Sequence, residues 1–418
     1  MQPVRVPSTL RQPKWAVVFS LQLLMLSTRA QSAPQNSPVD SARSYTIVQT
    51  DWSLWQTPAR SAPRRGALAQ GAHITPFAEL LAPGCQLPWW LIGPDAWMCP
   101  DNAILAESTS SNHNPTATAP ATRKVLGHVL VGNNGALGYD RRENVDVATP
   151  SAEMRQGFML GYVQAFGSGE SAVLLTTHGF WVPARDVQHL TPSDFHGSVV
   201  EGDLDFAWVF TKRAQVYSAP DVQRRAQFID RLTQVVVQGQ QQRASGLWLK
   251  IEGGWLKSTE LRVPELQQPP TSVGIGEHWI DVDTKTQTLV AYVGPRPVYA
   301  TLVSTGKGRP GTEQSTPIGT HRVWVKLIQS DMDNLDTADA KSVYAVEAVP
   351  HVMFFEGGYG IHGTYWHDEF GVSKSHGCVN VSLADARWLF QFVGPHLPLG
   401  WSAVFPTAIE PGTVIRIH

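Results

Sequence analysis

The chain has 418 residues and is nearly neutral, with 33 Lys and Arg against 35 Asp and Glu. At 42% hydrophobic and 16% charged it has enough apolar side chains for ordinary cores, which excludes broad disorder. Binding to nucleic acid phosphates needs a concentrated excess of Lys and Arg, so a nucleic acid partner is not expected. The length predicts two or three domains, and 35 Gly, 30 Pro and 15 Trp favour a mainly β fold with many turns.

The N-terminal segment has the layout of a secretory signal peptide. Basic residues up to Lys14 precede an apolar run over 15–26, and small residues around Ala30 follow it. We therefore predict a signal peptide over 1–30 that is cleaved on export to the periplasm or cell wall, with no stable membrane span left afterwards. A retained anchor is the alternative, but a span needs about 20 apolar residues and this run is shorter.

Export affects how the three cysteines are interpreted, because an oxidising compartment favours disulfides. Cys85 and Cys99 lie in one Trp-rich segment, and we expect them to be paired. A bridge closing so short a loop would contribute about 3 kcal/mol by the chain-entropy estimate. Cys378 is then left over, either as a small buried hydrophobe or as a reactive thiol.

Polar, Pro-containing stretches divide the chain. Residues 106–124 predict a flexible linker, and the double proline within 264–272 predicts a semi-rigid spacer. Three other segments end alike: Trp and an apolar residue, then several polar residues, then apolar residues again. Each segment has about 60 residues with short alternating stretches, as expected of a small β unit. They resemble the bacterial SH3-like modules found beside cell-wall enzymes. The three segments are 47–105, 125–192 and 205–266.

The last segment, 273–418, carries the most informative motifs. Two alternating runs that begin at His278 predict a β-hairpin, and thus a scaffold built of strands. Gly-Ile-His-Gly-Thr at 360–364 follows, and after a polar loop comes Ser-His-Gly-Cys-Val-Asn at 375–380. The second motif surrounds the unpaired cysteine with glycine and histidine, which favours a reactive thiol.

A thiol attacks as the thiolate, so Cys378 needs a base nearby. His376 is two residues away on a chain that turns at Gly377, whereas a neighbouring strand can bring His362 opposite the sulfur. We therefore favour His362 as the base, with the Gly363 carbonyl accepting its second N–H. Because Gly377 has no Cβ, its amide and that of Cys378 are candidate donors to the oxyanion of acyl transfer.

These motifs resemble the signature of the L,D-transpeptidase catalytic domain, the YkuD family. The resemblance covers residues 273–418 and includes STPIG at 315–319, LADARWLF after the cysteine and GTVIRI near the end. It implies that Cys378 is the acyl-accepting nucleophile and His362 its base. It also implies that the Gly363 carbonyl is the third member and that His376 and Gly377 shape the oxyanion site.

The resemblance further implies a two-step acyl transfer on peptidoglycan. The thiol would attack the L-centre carbonyl of a diamino acid in a tetrapeptide stem, release D-alanine and hold the acyl group as a thioester. An amine from a neighbouring stem or a free D-amino acid would resolve it, and water in its place would make the enzyme a carboxypeptidase. Stem peptides are therefore the expected partners, and neither a cofactor nor a metal is expected.

The substrate-binding candidates surround these motifs. Many relatives in the family have Arg at the position of Asn380, although an Asn variant also fits the pattern. Arg309 is a candidate for a stem carboxylate, with an ordinary surface arginine as the alternative. The full set of candidates is Ser375, Asn380, Arg309, Tyr365 and Trp366.

Three other interpretations remain open at this level. Cys378 would be inert if it were only a buried apolar group. A zinc peptidase would use the histidines and the cysteine as ligands and a carboxylate as base. Its residues would be His362, His376 and Cys378 with Asp368 or Glu369. A catalytically inactive wall-binding protein would use the SH3-like segments alone.

Overall fold

The computed structural model describes residues 44–47, 51–101, 105–108, 124–222, 224–335 and 343–418. The predicted signal peptide and most of the predicted linker lie outside the described residues. The chain divides into two compact units. One is built on residues 123–396 and 408–418, and the other combines the N-terminal segment with residues 397–407. No helix in the described ranges is long and apolar enough to cross a membrane.

Strands dominate both units, which confirms the mainly β prediction. The first segment contains β1 (Ser44–Ile47), β2 (Trp52–Trp55), β3 (Arg64–Leu68), β4 (His73–Ile74), β5 (Ala78–Leu80), β6 (Trp89–Gly93), β7 (Ala96–Met98) and β8 (Leu105–Ser108). The second contains β9 (Gly127–Val131), β10 (Ala136–Gly138), β11 (Ala152–Met154), β12 (Met159–Phe166), β13 (Val173–Thr176), β14 (Trp181–Pro183) and β15 (Val187–Leu190).

The third segment contains β16 (Ser198–Val199), β17 (Phe206–Val209), β18 (Arg213–Tyr217), β19 (Arg224–Asp230), β20 (Gln234–Val236), β21 (Gly239–Arg243), β22 (Gly246–Ile251), β23 (Gly254–Lys257) and β24 (Leu261–Arg262). The last contains β25 (His278–Asp283), β26 (Thr288–Val293), β27 (Arg296–Leu302), β28 (Gly319–Arg322), β29 (Val325–Asp333), β30 (Ala345–Glu356), β31 (Tyr359–Gly363), β32 (Val379–Val381), helix α1 (Leu383–Phe392), β33 (Trp401–Val404) and β34 (Val414–Ile417). Single 3-10 turns lie at Arg142–Asn144, Gly169–Ser171, Ala184–Asp186 and Ser258–Glu260.

The N-terminal unit takes a strand from near the end of the chain. β33 pairs antiparallel with β3, and Trp401 packs with Leu54 and Leu68 in one core. Gly66 permits this approach, since a Cβ there would lie 2.6 Å from the Trp401 ring. The predicted catalytic segment 273–418 is therefore interrupted at 397–407, because Trp401 is buried in the other core.

The disulfide belongs to the same unit. Cys85 and Cys99 are bonded, and Cys99 packs against Trp55 and Trp89 in a second cluster. The unit thus holds its short strands together with a covalent link as well as with large aromatic side chains.

The segment 127–190 has a core of its own. β9 pairs with both β12 and β15, and β12 continues to β13 and β14. Val129, Val131 and Leu160 meet Leu174 and Val182 between these strands. The alternation of apolar and polar residues predicted such a β unit, and its SH3-like assignment stays a prediction.

The segment from β17 to β24 forms a further β unit around Val209, Leu249 and Leu256. The residues just before it belong elsewhere. β16 pairs with β27, and Phe195 and Val200 pack in the core of the last segment. The sequence predicted no role for this stretch, because a strand of only two residues has no recognisable pattern of its own.

The last segment has two groups of strands. One is a sheet in the order β27, β26, β25, β34, β28, in which β34 runs parallel to β25. In the other, β29 and β30 form a long antiparallel pair, β31 joins β30, and β32 runs parallel to β31. Helix α1 follows β32 and is capped by Ser382, whose hydroxyl oxygen accepts the Asp385 N–H. The parallel β31–β32 pair positions the site.

Candidate active site

His362 and Cys378, one from each motif, come together through the β31–β32 pair. His362 lies opposite Asn380 in the register of these parallel strands. Cys378 is two residues before Asn380, and side chains two apart along an extended chain point the same way. Consistent with this geometry, Cys378, His362 and Asn380 all line one pocket.

The pocket has a volume of about 430 Å³ and two kinds of wall. Its apolar part consists of Met159, Met332, Tyr344, Val346, Tyr359 and Trp366. Its basic part consists of Lys307, Lys374, His362, His367 and His376. Among the described residues that line it, none is Asp or Glu. Because burial lowers the pKa of the three histidines, the charge of this lining comes from Lys307 and Lys374, which attract an anionic group.

Burial keeps both reacting groups uncharged. Cys378 is 7% exposed, and loss of water raises the pKa of its thiol to about 11, although the Gly360 amide opposes the shift. His362 is 2% exposed, and burial lowers the pKa of its imidazole to about 4. At neutral pH the pair is therefore a thiol and a neutral imidazole. It is not an ion pair of thiolate and imidazolium.

The tautomer of His362 follows from its backbone partner. Its Nδ1 lies 3.2 Å from the Gly363 carbonyl oxygen, which can only accept, so Nδ1 carries the proton. Nε2 then has the free lone pair and is the basic nitrogen. Gly363 is closely packed, because a Cβ would lie 3.0 Å from both Leu383 and Pro350.

His376 is engaged by a lysine. Its Nε2 lies 3.2 Å from Lys307 Nζ, and an ammonium can only donate, so this nitrogen accepts. Burial, and then the charge of Lys307, lower the pKa of His376. Its ring lies parallel to that of Tyr344 at a centroid distance of 5.6 Å. With its Nε2 occupied, His376 is less suited than His362 to accept the thiol proton.

Gly377 forms the turn before the nucleophile. Its φ of +128° favours glycine, and a Cβ there would overlap the Tyr359 ring. Its N–H donates to Ser375 Oγ at 3.1 Å, and the Ser375 hydroxyl donates to the Cys378 carbonyl. Ser375 thus accepts the Gly377 amide in this structure, and the role of Gly377 at an oxyanion site stays a prediction.

Asn380 is oriented by a histidine that the sequence did not single out for this role. His367 Nδ1 accepts the Glu369 N–H at 3.1 Å, and burial lowers the pKa of His367 to about 4, so its proton is on Nε2. That nitrogen lies 2.9 Å from Asn380 Nδ2, while Asn380 Oδ1 is buried and has no partner among the described residues. A half-turn of the amide lets Oδ1 accept this proton and turns the NH2 group toward the pocket.

Two predicted substrate-binding residues lie elsewhere. Arg309 is exposed in a turn, where its carbonyl accepts from Thr312, and it does not line the pocket. Tyr365 is 1% exposed, its hydroxyl donates to the Glu347 carbonyl at 2.7 Å, and its ring stacks on His128. Both residues lie in the bend after β31, where Trp366 lines the pocket and Tyr365 is buried in the core.

The sequence analysis missed the two lysines of the pocket. Lys307 lies two residues before Arg309, and Lys374 directly precedes the Ser-His-Gly-Cys motif. Their closeness to the motif was an available signal, but lysines in loops are commonly solvated and carry no periodicity.

The residues of the zinc alternative do not form a compact ligand set. In the described part of the chain, the group whose ligand atoms lie within 4.8 Å of one another is Cys85, Cys99 and Asp101. Its two sulfurs are bonded to each other. His362, His376 and Cys378 are not such a group, and Lys307 approaches one of the two imidazoles.

The segment that carries this site matches a known domain family. Residues 277–417 match the family model of YkuD, the L,D-transpeptidase catalytic domain, which confirms the resemblance seen in the sequence. The candidate L,D-transpeptidase YciB of Bacillus subtilis (strain 168) is 23% identical over 168 residues, which are 34% of this chain and 71% of that protein.

Part of this chain is also similar to solved structures of L,D-transpeptidases. A mutant L,D-transpeptidase of Enterococcus faecium is 22% identical, with 34% of this chain and 50% of that chain covered and a TM-score of 0.26. An L,D-transpeptidase from Mycobacterium smegmatis is 14% identical, with 62% of this chain and 99% of that chain covered and a TM-score of 0.27. The chain thus spans half the length of the Enterococcus faecium chain.

Proposed function

We propose that the protein is an exported cysteine L,D-transpeptidase that acts on tetrapeptide stems of peptidoglycan. The observation that carries the proposal is the placement of His362 on β31 and of Cys378 directly before the adjacent parallel strand β32, so that both line one pocket within the YkuD segment. The signal-like segment at 1–30 supports a working place in the periplasm or cell wall.

In the first step the thiol becomes acylated. Sγ of Cys378 attacks the L-centre carbonyl of the stem's diamino acid while His362 Nε2 takes the thiol proton. The charge that develops on the carbonyl oxygen is stabilised by the Cys378 amide and the Asn380 NH2 group. The C–N bond to D-alanine then breaks, His362 returns the proton to the leaving amine, and a thioester remains.

In the second step an amine releases the enzyme. The amine attacks the thioester carbonyl, His362 accepts a proton from it, and the C–S bond breaks as the thiol is reformed. An amine from a neighbouring stem gives a crosslink, and a free D-amino acid gives an exchanged stem. Both acceptors use the same acyl-enzyme.

The charges at the pocket suit such a donor. Lys307 and Lys374 line it, and a stem peptide carries carboxylates that two ammonium groups attract. Lys374 also contacts Glu369 and Lys307 contacts His376, so the two cations are held at the rim by protein partners.

The experiment is to incubate the protein, lacking residues 1–30, with purified tetrapeptide muropeptides and to follow its intact mass. We expect an increase that equals the donor minus D-alanine in the unmutated protein, and no adduct in Cys378→Ala. Adding a D-amino acid should remove the adduct and yield exchanged product, whereas loss of the adduct in buffer alone would indicate a carboxypeptidase. No adduct with any donor would contradict the proposal and favour a wall-binding protein.

A further inference from the structure

We infer that the β unit at 127–190 is part of the catalytic site, and that Met159 on its strand β12 is a wall of the donor pocket that selects the side chain at the acylated position. This inference rests on the proposed function of the same pocket. It assigns a role to a segment that the YkuD match at 277–417 does not include.

Met159 reaches the pocket through a strand pairing between the two segments. It is the first residue of β12 and pairs in parallel with Val346 of β30. Both residues line the pocket, together with Met332 and Tyr344. The four side chains form one apolar wall, of which the β unit at 127–190 supplies a member.

A buried carboxyl group holds this pairing in place. Glu347 follows Val346 in β30, is 7% exposed, and accepts the Gly161 N–H at 3.2 Å and the Thr177 hydroxyl at 2.8 Å. A buried polar group stays satisfied only while its partners remain in position. Gly161 is also packed closely, since a Cβ there would lie 3.0 Å from that of Ala348.

Two further contacts tie the unit to segments that line the pocket. His178 Nε2 lies 2.8 Å from Asp331 Oδ2, next to Met332 in β29. The His128 ring stacks on Tyr365 with centroids 3.5 Å apart, and Tyr365 directly precedes Trp366 of the pocket lining. The wall that Met159 forms is therefore held by several strands, which is what a selective surface requires.

The chemistry of the wall defines what it selects. The wall that Met159 completes is apolar, so it suits the methylene chain of an unbranched side chain. Methionine adapts its shape to such chains through its flexible thioether. We therefore expect Met159 to discriminate between donors by the length of the side chain on the third stem residue.

The test compares Met159→Ala and Met159→Trp with Gln164→Ala, an exposed position on the same strand that does not line the pocket. The first readout is alkylation of Cys378 by iodoacetamide and by bulky N-benzylmaleimide, which needs no transpeptidase activity. We expect Met159→Ala to raise the ratio of the bulky to the small reagent's rate at least threefold, Met159→Trp to lower it, and the control to leave it unchanged. Ratios within twofold of the unmutated protein in both variants would overturn the inference.

The second readout is acylation by tetrapeptides that carry lysine, ornithine or diaminobutyrate at the third position. Met159→Ala should change the relative rates of the three donors at least threefold, while Gln164→Ala keeps them. Relative rates that do not change would overturn the selective role of Met159. If the alkylation ratios shift but no donor acylates any variant, the wall is supported and the proposed transpeptidase function fails.

Discussion

Cys378 is a protonated thiol at rest because its sulfur is nearly sealed from water. The motif places a glycine and a histidine beside it, but neither sets its charge. His362, also buried and neutral, has its basic nitrogen free because Gly363 holds the proton of the other nitrogen. The proton then moves when a substrate carbonyl arrives, as general base catalysis requires.

This protonation state predicts how alkylation of Cys378 depends on pH. Since the thiol pKa is raised to about 11, the thiolate fraction grows about tenfold per pH unit through the neutral range. The iodoacetamide rate in the substrate-free protein should therefore rise from pH 7 to 10 without levelling near pH 8.5. Intact mass over time measures the rate, with Cys378→Ala as the control for background. A plateau below pH 8 would indicate a stable thiolate and imidazolium pair instead.

The residues of the site differ in how far the sequence determines them. Cys378, His362 and Asn380 were predictable because short motifs carry them and strand alternation places them on one face. Tyr365 was not, since one step along the same chain turns its ring into the core beside His128. Met159 was not either, because its place depends on a pairing between distant segments.

At the scale of elements, helix α1 shows how a buried charge is accommodated. Lys326 is 1% exposed, and its Nζ donates to the carbonyls of Phe390 and Val393 at the end of the helix. A cation is favourable at a helix C-terminus, where carbonyls lack intrahelical partners. Burial nevertheless dominates and lowers the pKa of Lys326 to about 7.

Lys326 should therefore make stability depend on pH. Between the folded pKa of about 7 and the unfolded value of 10.5, the unfolded chain binds a proton that the folded chain has released. The free energy of unfolding then rises with pH, by up to about 1.4 kcal/mol per pH unit. Urea unfolding from pH 7 to 9.5 should show this slope in the unmutated protein and lose it in Lys326→Met.

The matched control for this experiment is Lys285→Met, at an exposed lysine in the turn after β25. It should keep the slope of the unmutated protein. An equal slope in Lys326→Met would mean that Lys326 is not the group that titrates.

At the scale of the whole molecule, the order of segments in the sequence differs from the order in the fold. The chain leaves the catalytic segment after residue 396, adds β33 to the N-terminal unit, and returns at 408 to form β34. Motifs located the catalytic segment well because they are local. They did not indicate that Trp401 belongs to another core, because an apolar strand residue does not specify its partners.

Trp401→Ala should therefore destabilise the N-terminal unit selectively. Removal of a buried tryptophan costs about 3–5 kcal/mol, because the cavity left behind is only partly refilled. Limited proteolysis should cut residues 44–108 faster in the variant, while the iodoacetamide rate of Cys378 stays the same. Trp401→Phe, which keeps an aromatic ring, should lower the stability of the N-terminal unit less. Unchanged proteolysis of this unit in Trp401→Ala would contradict the role of Trp401 in its core.

The proton that burial keeps on Cys378 also has a protective effect. The thiolate is the form that attacks peroxides and disulfides, so a thiol with a pKa of about 11 forms sulfenic acid slowly in the oxidising compartment where we propose that it works. The same property disfavours exchange with the bonded pair Cys85 and Cys99. A nucleophile that is mostly protonated until its substrate binds can thus persist outside the cytoplasm without a reductant to restore it.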